Sequence, residues 1–418
     1  MTNRATFSTS RAIKLWLGET STYNFSVNLS MGLSSAFLIK LLGYGPAELG
    51  FITSIRMLAI AISMFPAAVL VEGLREKRKT TWLISGAISR IGWCLIPISL
   101  LFPKPFNLVY LSALVFTAQF ASGICSVASL DVVGDLIPGT TATEVFSRAS
   151  RYTYLSTAVS QLAGLAAFIA PIDTLLGYVI AYIVALAFAT VSTFLLYLIP
   201  DPGKAEKLEE EGNLFKRSIR VVASDPKLRK YLLVISMFNF AVGIPAPFWD
   251  YLVMSVTGGR ELFIPLKNMA NLFVKVACVK WWKSNAERRG LRKVLVRGMA
   301  FTSLVPLLYA EASTGTEVIF AEAVSGFVWT PVDLGTSIYN VYLPPSTTRP
   351  VYISAVNLFV NSAFSVATTV GTIVAVSTGS VFPTLMISAM LRGLTAAIAH
   401  KSLPEVEDSP SFVQPKGS

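Results

Sequence analysis

Apolar stretches of about twenty residues recur from one end of the chain to the other, separated by short polar turns. A hydrocarbon core about 30 Å thick is crossed by roughly 20 helical residues. Inside lipid the backbone polar groups must be satisfied within the helix itself. The pattern therefore predicts twelve helices, over residues 17–42, 47–72, 81–102, 108–137, 148–171, 174–199, 230–256, 262–283, 294–311, 316–343, 351–378 and 380–401. Residues 200–229 form the longest polar stretch, with Leu208, Phe215, Ile219 and Val222 as one apolar stripe of a predicted interfacial helix. The expected organisation is an N-tail (1–16), a six-helix bundle (17–199), a linker (200–229), a second six-helix bundle (230–401) and a C-tail (402–418). The fold class is all-α integral membrane.

Composition agrees. Of 418 residues 53% are hydrophobic and 14% charged, which excludes a soluble globular domain and a disordered chain. The formal charge of +11 matters through its placement. With both termini inside, the inner turns and tails collect 28 of the 35 basic residues, taking in Arg78 and, at the far end, Arg392. The outer turns hold Lys40, Lys104, Arg260 and Lys267, while Arg56, Arg90 and Lys275 fall within spans. Such a bias predicts a multi-pass protein of the cell membrane with both termini cytoplasmic. Residues 1–15 lack the apolar core of a cleavable targeting segment. Cys94, Cys125 and Cys278 lie in apolar runs and match neither a disulfide framework nor a metal motif, and His400 is the sole histidine. No metal and no cofactor are expected.

The two halves repeat each other. Tyr23-Asn24-Phe25-Ser26-Val27 reappears as Phe238-Asn239-Phe240-Ala241-Val242, an offset of 215 that also pairs Gly43 with Gly258 and Glu72 with Glu287. Further on, at an offset of 206, Pro138, Thr141, Val145, Phe146 and Ala149 meet Pro344, Thr347, Val351, Tyr352 and Ala355. Parallel six-helix repeats are a signature of rocking transporters, with the solute path between the halves.

Two turns carry matching charge motifs. After the second span comes Glu72-Gly73-Leu74-Arg75-Glu76-Lys77-Arg78-Lys79, and after the eighth Ala286-Glu287-Arg288-Arg289-Gly290-Leu291-Arg292-Lys293. Here the chain resembles the major facilitator superfamily, whose corresponding loops read G-x-L-A-D-R-x-G-R-R/K. The second copy matches better; in the first, Ala68 and Arg75 stand where that family has glycine. The stretch Phe37 to Gly50 and the Pro138 and Pro344–Arg349 regions extend the resemblance over nearly all of 17–401. It implies a gating role for Glu72, Arg75, Arg78, Glu287, Arg288, Gly290 and Arg292. An acid at a helix junction can cap the next helix's free N–H groups and pair with a facing arginine. The plainer explanation for these charges is orientation alone.

The resemblance also implies that the first, fourth, seventh and tenth helices line a cavity. That places Asn24, Asn28, Asn239, Asp250, Glu322 and Asp333 there, with Arg56 and Lys275 on flanking helices as positive charge for an anionic solute. Charges within spans are costly and face protein or water. Glu322 and Asp333 are the proton-coupling candidates, against a structural or solute-contact role. Asp131, Asp135 and Arg90 are expected to pair inside the bundle. Asn357, Asn361, Ser365 and Thr369 form a polar stripe, open between interhelical bonding and cavity lining. Ser156, Ser160 and Gly164, like Ala363, Ala367, Gly371 and Ala375, are small residues at fourfold spacing and predict close helix crossings.

The reading that follows is a secondary active or facilitative transporter, moving a small solute by rocker-switch alternating access. No GxxxxGK[ST] loop is present for nucleotide energy. The alternatives are a membrane-embedded lipid-modifying enzyme, disfavoured because no His- or acid-based metal cluster is evident, and a transporter-like solute sensor. The expected partners are a small-molecule substrate with a coupled proton or other ion, and the lipid bilayer; no nucleic acid is expected, and the chain is read as a monomer and not an enzyme.

Overall fold

The computed structural model describes residues 2–73, 77–137, 139–169, 173–201, 222–343 and 349–405. Among these there are fourteen α-helices and no strands. The first six are α1 (Thr2–Leu42), α2 (Pro46–Gly73), α3 (Arg78–Cys94), α4 (Phe106–Leu136), α5 (Gly139–Ile169) and α6 (Thr174–Leu198). The rest are α7 (Pro226–Gly243), α8 (Trp249–Val256), α9 (Phe263–Arg289), α10 (Leu291–Phe301), α11 (Leu304–Glu311), α12 (Gly315–Tyr342), α13 (Arg349–Thr378) and α14 (Phe382–Ser402).

Nine segments among the described residues are long and apolar enough to cross a membrane. The other three predicted spans coincide with α3, α5 and α9. Helix α3 is only 17 residues long and hands over to a 3₁₀ turn, Ile96–Leu101, at Pro97. Helix α5 opens on a polar half, and Lys267, Lys275 and Lys280 interrupt the apolar run of α9. Two predicted spans are each broken in two. Pro245 and Pro247 lack the N–H that would continue α7, so the chain passes through a 3₁₀ turn, Ala246–Phe248, before α8. Residues 294–311 divide at Thr302 and Ser303 into α10 and α11. Of the linker, residues 202–221 lie outside the described residues, as do Pro138, Pro344 and the tail from residue 406.

Two compact units result: Met1–Glu48 with Ile55–Glu211 and Arg260–Leu266, and Leu49–Ser54 with Gly212–Gly259 and Lys267–Ser418. Each packs internally in the same way. In the first, α1 lies against α5 and α6, and α3 against α4 and α6. In the second, α7 lies against α13 and α14, and α10 against α12 and α14. The repeat extends to backbone angles. Gly43 and Gly258, paired by the 215 offset, both adopt positive φ, +62° and +63°, where a side chain would be strained.

The small-residue stripes are packing surfaces. A Cβ on Gly371 would stand 2.0 Å from the Ile244 carbonyl oxygen, and one on Gly243 would stand 2.8 Å from Cβ of Ala367. Helices α7 and α13 therefore cross at near backbone contact. On α5, Gly164 faces Leu29 and Leu33 of α1. The core of the second unit is aromatic near one end, where Tyr231 stacks on Tyr339 at 5.0 Å beside buried Tyr352.

Candidate functional site

Within the second unit the capping of α12 sets a register on which the site depends. Thr314 accepts a hydrogen bond from the Glu317 N–H, and the Glu317 carboxylate accepts from the N–H groups of Ser313 and Thr314. This capping box fixes the start of the helix. Glu322, Ser325 and Trp329 then follow at spacings of three and four, on one face. Gly326 brings α9 close: a Cβ there would lie 2.4 Å from the Asn271 carbonyl oxygen.

Across that contact a polar cluster is assembled. Nζ of Lys267, on the second turn of α9, lies 3.1 Å from Asp250 Oδ1 and 3.6 Å from Glu322 Oε1. The Lys267 side chain is only 7% exposed. Tyr309 donates its hydroxyl to Glu322 Oε1 at 2.6 Å, and Asn271 donates Nδ2 to Oε2 at 2.9 Å. The Tyr309 ring is itself wedged edge-on against Trp249 at 4.7 Å. Asp250 sits in the first turn of α8, where the exposed N–H groups favour a negative charge. Lys267, Glu322 and Ser325 line a cavity of about 100 Å³ with Val242, Trp249, Val305, Trp329 and Arg392.

Two of these residues correct the sequence reading, which puts Lys267 in an outer turn and Arg392 among the inner charges. Instead Lys267 is buried between two acids, and Arg392 occupies the middle of α14 at 1% exposure. The signal for Lys267 was its spacing. Lys267, Asn271 and Lys275 recur every fourth residue on one face of α9, which marks a polar stripe on a helix in a membrane protein. Arg392 had no such companion; Ser388 and Thr395 on its face are small enough to read as packing.

The structure brings Asp250 and Glu322 together through Lys267, and places Lys275 with Asp333 in a separate pair at 2.8 Å. That pair is open, with Asp333 55% exposed. Asn24 and Asn28 each donate to the carbonyl four residues back and also reach Thr153 and Thr157 of α5, at 3.4 and 3.3 Å. Asn239 donates to the Ile235 carbonyl and Asn361 to that of Asn357, so these amides are at least partly occupied by their own helices. Arg56 is half-buried on α2. Arg90 pairs with Glu19 inside the first unit, as expected of an intrabundle charge, and the Tyr23 ring covers its guanidinium at 5.0 Å.

Of the two charge motifs, Arg75 lies outside the described residues, and Arg78 is buried at the first residue of α3. The second copy is compact. Helices α9 and α10 are joined by Gly290 alone, at φ +87°, so the motif glycine makes the turn. Glu287 does not cap α10, which has no side-chain cap. It lies in the last turn of α9, where side chains lean toward the helix N-terminus, and it faces Lys283 at 3.8 Å. Arg288 is exposed. Arg292 donates to the His400 carbonyl and lies 3.8 Å from Glu405, tying α10 to the end of α14.

Among the described residues no group of three or more His, Cys, Asp or Glu side chains is arranged to hold a metal ion. The family model for the Major Facilitator Superfamily matches residues 15–368. No curated protein matches the chain. Solved structures do match in fold. A POT family peptide transporter, in an auto-inhibited form, superposes with a TM-score of 0.73 at 13% identity, covering 97% of this chain and 100% of that one. The nucleoside transporter NupG gives 0.66 at 13% identity, covering 93% and 97%. The xylose transporter XylE of E. coli, in an inward open conformation, gives 0.67 at 14% identity, covering 96% and 97%.

Proposed function

Because this chain belongs to the Major Facilitator Superfamily, and is therefore a multi-pass membrane solute transporter, we propose that it moves a small solute by rocker-switch alternating access and couples that movement to a proton at Glu322. The observation that carries the proposal is the sharing of one buried lysine by two acids. With all three ionised, Asp250, Lys267 and Glu322 sum to one negative charge in a site removed from water. Taking up a proton on Glu322 leaves Lys267 matched with Asp250 alone. In a medium of low dielectric that exchange is a large electrostatic event, and it changes which helices the lysine joins. Protonation thus alters the attachment of α9 to α12 while that to α8 is kept. Asp333, exposed and paired with Lys275, lacks this leverage.

In this reading the chain acts without catalysis of its own, as a monomer in the cell membrane with both termini cytoplasmic and no nucleic-acid partner. Twelve spans in two bundles, 17–199 and 230–401, carry the motion. The turns containing Glu72, Arg75, Arg78, Glu287, Arg288, Gly290 and Arg292 form the inner gate. Asn24, Asn28, Arg56, Asn239, Asn357 and Asn361 contribute polar groups along the solute path.

The test is uptake into proteoliposomes against a panel of small solutes, with and without an imposed proton gradient. The gradient should drive accumulation in the native protein, and Glu322→Gln should abolish accumulation while leaving counterflow. Accumulation by Glu322→Gln at the native level would overturn coupling at this residue. A solute that binds and never crosses would favour a sensor over a transporter.

A further inference from the structure

Arg392 is buried in the second unit, and among the described residues it pairs with no carboxylate. Its Nη1 donates to the Thr302 carbonyl at 3.0 Å, and its guanidinium carbon lies 6.0 Å from the centre of the Trp329 ring. Its Nε is buried without an acceptor. A cation held out of water without a counter-charge is among the costliest arrangements in a protein interior. The nearby acids make no direct pair with it, although Asp250, Lys267 and Glu322 together leave one negative charge beside the same cavity. Glu322 already receives Tyr309 and Asn271 and faces Lys267, and Asp250 holds Lys267 directly.

Arg392 lines the same 100 Å³ cavity as Lys267, Ser325 and the Glu322 carboxylate, whose oxygens are taken up by Tyr309, Asn271 and Lys267. A cavity of that size accommodates about three waters at ~30 Å³ each. It is well below the roughly 300–1,000 Å³ of sites that enclose drug-sized ligands, and its size suits a small ion. A halide or a carboxylate of one or two carbons fits. The donors suit it: a guanidinium edge with an unused N–H, a lysine ammonium on the same cavity, and the Ser325 hydroxyl. That hydroxyl accepts from Asn271 at 3.2 Å and keeps its own proton to donate.

We propose that this cavity is a binding site for one small monovalent anion, a halide or a one- to two-carbon carboxylate, held by Arg392 with Lys267 and Ser325 completing the donor set. Glu322 lines the cavity as well, so a proton on it favours the anion. The site itself stands on Arg392, and the Arg392→Gln comparison tests it whether or not a proton is coupled at Glu322.

The test is thermal unfolding of the purified full-length protein, with chloride, bromide or formate replacing gluconate at constant ionic strength. Saturable stabilisation by chloride or formate, absent with gluconate, is expected. A response to halides alone or to formate alone identifies which source of the charge the site accepts. Arg392→Gln should weaken the apparent affinity by roughly 10- to 100-fold. An identical response to gluconate, no saturable response to either small anion, or an unchanged affinity in Arg392→Gln would each overturn the proposal. Should Arg392→Gln not fold, crystals of the native protein soaked in bromide decide the matter. An anomalous peak within hydrogen-bond distance of Arg392 supports the site, and a cavity without one refutes it.

Discussion

Nζ of Lys267 lies 3.1 Å from Oδ1 of Asp250, a contact that joins α9 to α8 across the proline-broken part of the predicted seventh span. Without it, the short helix after the break would hold an acid with no cation, and α9 would hold a buried ammonium facing Glu322 alone. The break and the ion pair belong together. The 3₁₀ turn at Ala246–Phe248 redirects the chain so that Asp250, in the first turn of α8, meets a side chain on the second turn of α9.

Replacing this buried lysine therefore leaves two half-buried acids without their shared cation. Removing one partner of a buried ion pair typically costs about 3–5 kcal/mol. Lys267→Met should lower the melting temperature of the purified protein markedly. Adding Asp250→Asn and Glu322→Gln to it should recover most of the loss, because the charges then vanish together. A Lys267→Met protein that melts with the native one would show that the cluster is not buried in the folded state.

Helix crossing gives a second expectation. A methyl group at Gly371 collides with the Ile244 carbonyl, which belongs to backbone and cannot swing aside. Gly371→Ala should cost about 1–3 kcal/mol through overpacking. Gly393, in the middle of α14 with open space where a methyl group would stand, is the control. There alanine should be neutral or stabilise by about 0.5–1 kcal/mol, the usual helical gain over glycine. Melting curves of the two variants measure the difference, and equal shifts would refute a close α7–α13 crossing.

In the first unit, Arg90 and Glu19 should behave as a coupled pair. Ser192 also donates to the Glu19 backbone carbonyl at 3.3 Å, fixing α6 to the same spot. Glu19→Gln and Arg90→Met should each destabilise strongly, whereas the double variant should lose less than the sum. Strict additivity in a double-mutant cycle would show that the two side chains do not interact.

Much of this architecture was legible in the order of residues. Apolar run lengths located the helices, because lipid imposes one length on every span. The offset of 215 paired Gly43 with Gly258, and both have the same left-handed backbone. The small-residue spacing on α13 foretold a close crossing. What the sequence concealed was partnership. A lysine five residues into a helix looks the same whether it reaches outward to water or inward to two acids. The neighbours of Lys267 in sequence suggest a turn, while its environment is set by Asp250 and Glu322, on two other helices. Arg392 was hidden for the same reason, and the exposed pairing of Asp333 with Lys275 distinguishes it from Glu322 only in three dimensions. Both helix breaks have a proline to mark them in the sequence: Pro245 and Pro247 in one, and in the other Pro306, whose missing N–H leaves the Thr302 carbonyl four residues back without its helical donor.

The motif around Gly290 separates orientation from gating in a measurable way. Glu287 touches Lys283 one turn away, in an exposed pair worth at most about 0.5 kcal/mol. Glu287→Gln should accordingly leave the melting temperature nearly unchanged. If the carboxylate serves only to balance charge at the membrane surface, its loss should affect transport no more than neutralising Lys204 in the linker. A gating role predicts a different split: unchanged stability with counterflow reduced several-fold, and little effect from Lys204→Gln. Arg292 offers the opposite control, because it ties α10 to the His400 carbonyl at the end of α14. Arg292→Gln should lower stability as well as flux, by about 1–2 kcal/mol for the lost charge-assisted bond. Equal, small effects of Glu287→Gln and Lys204→Gln on counterflow would leave orientation as the whole role of that carboxylate.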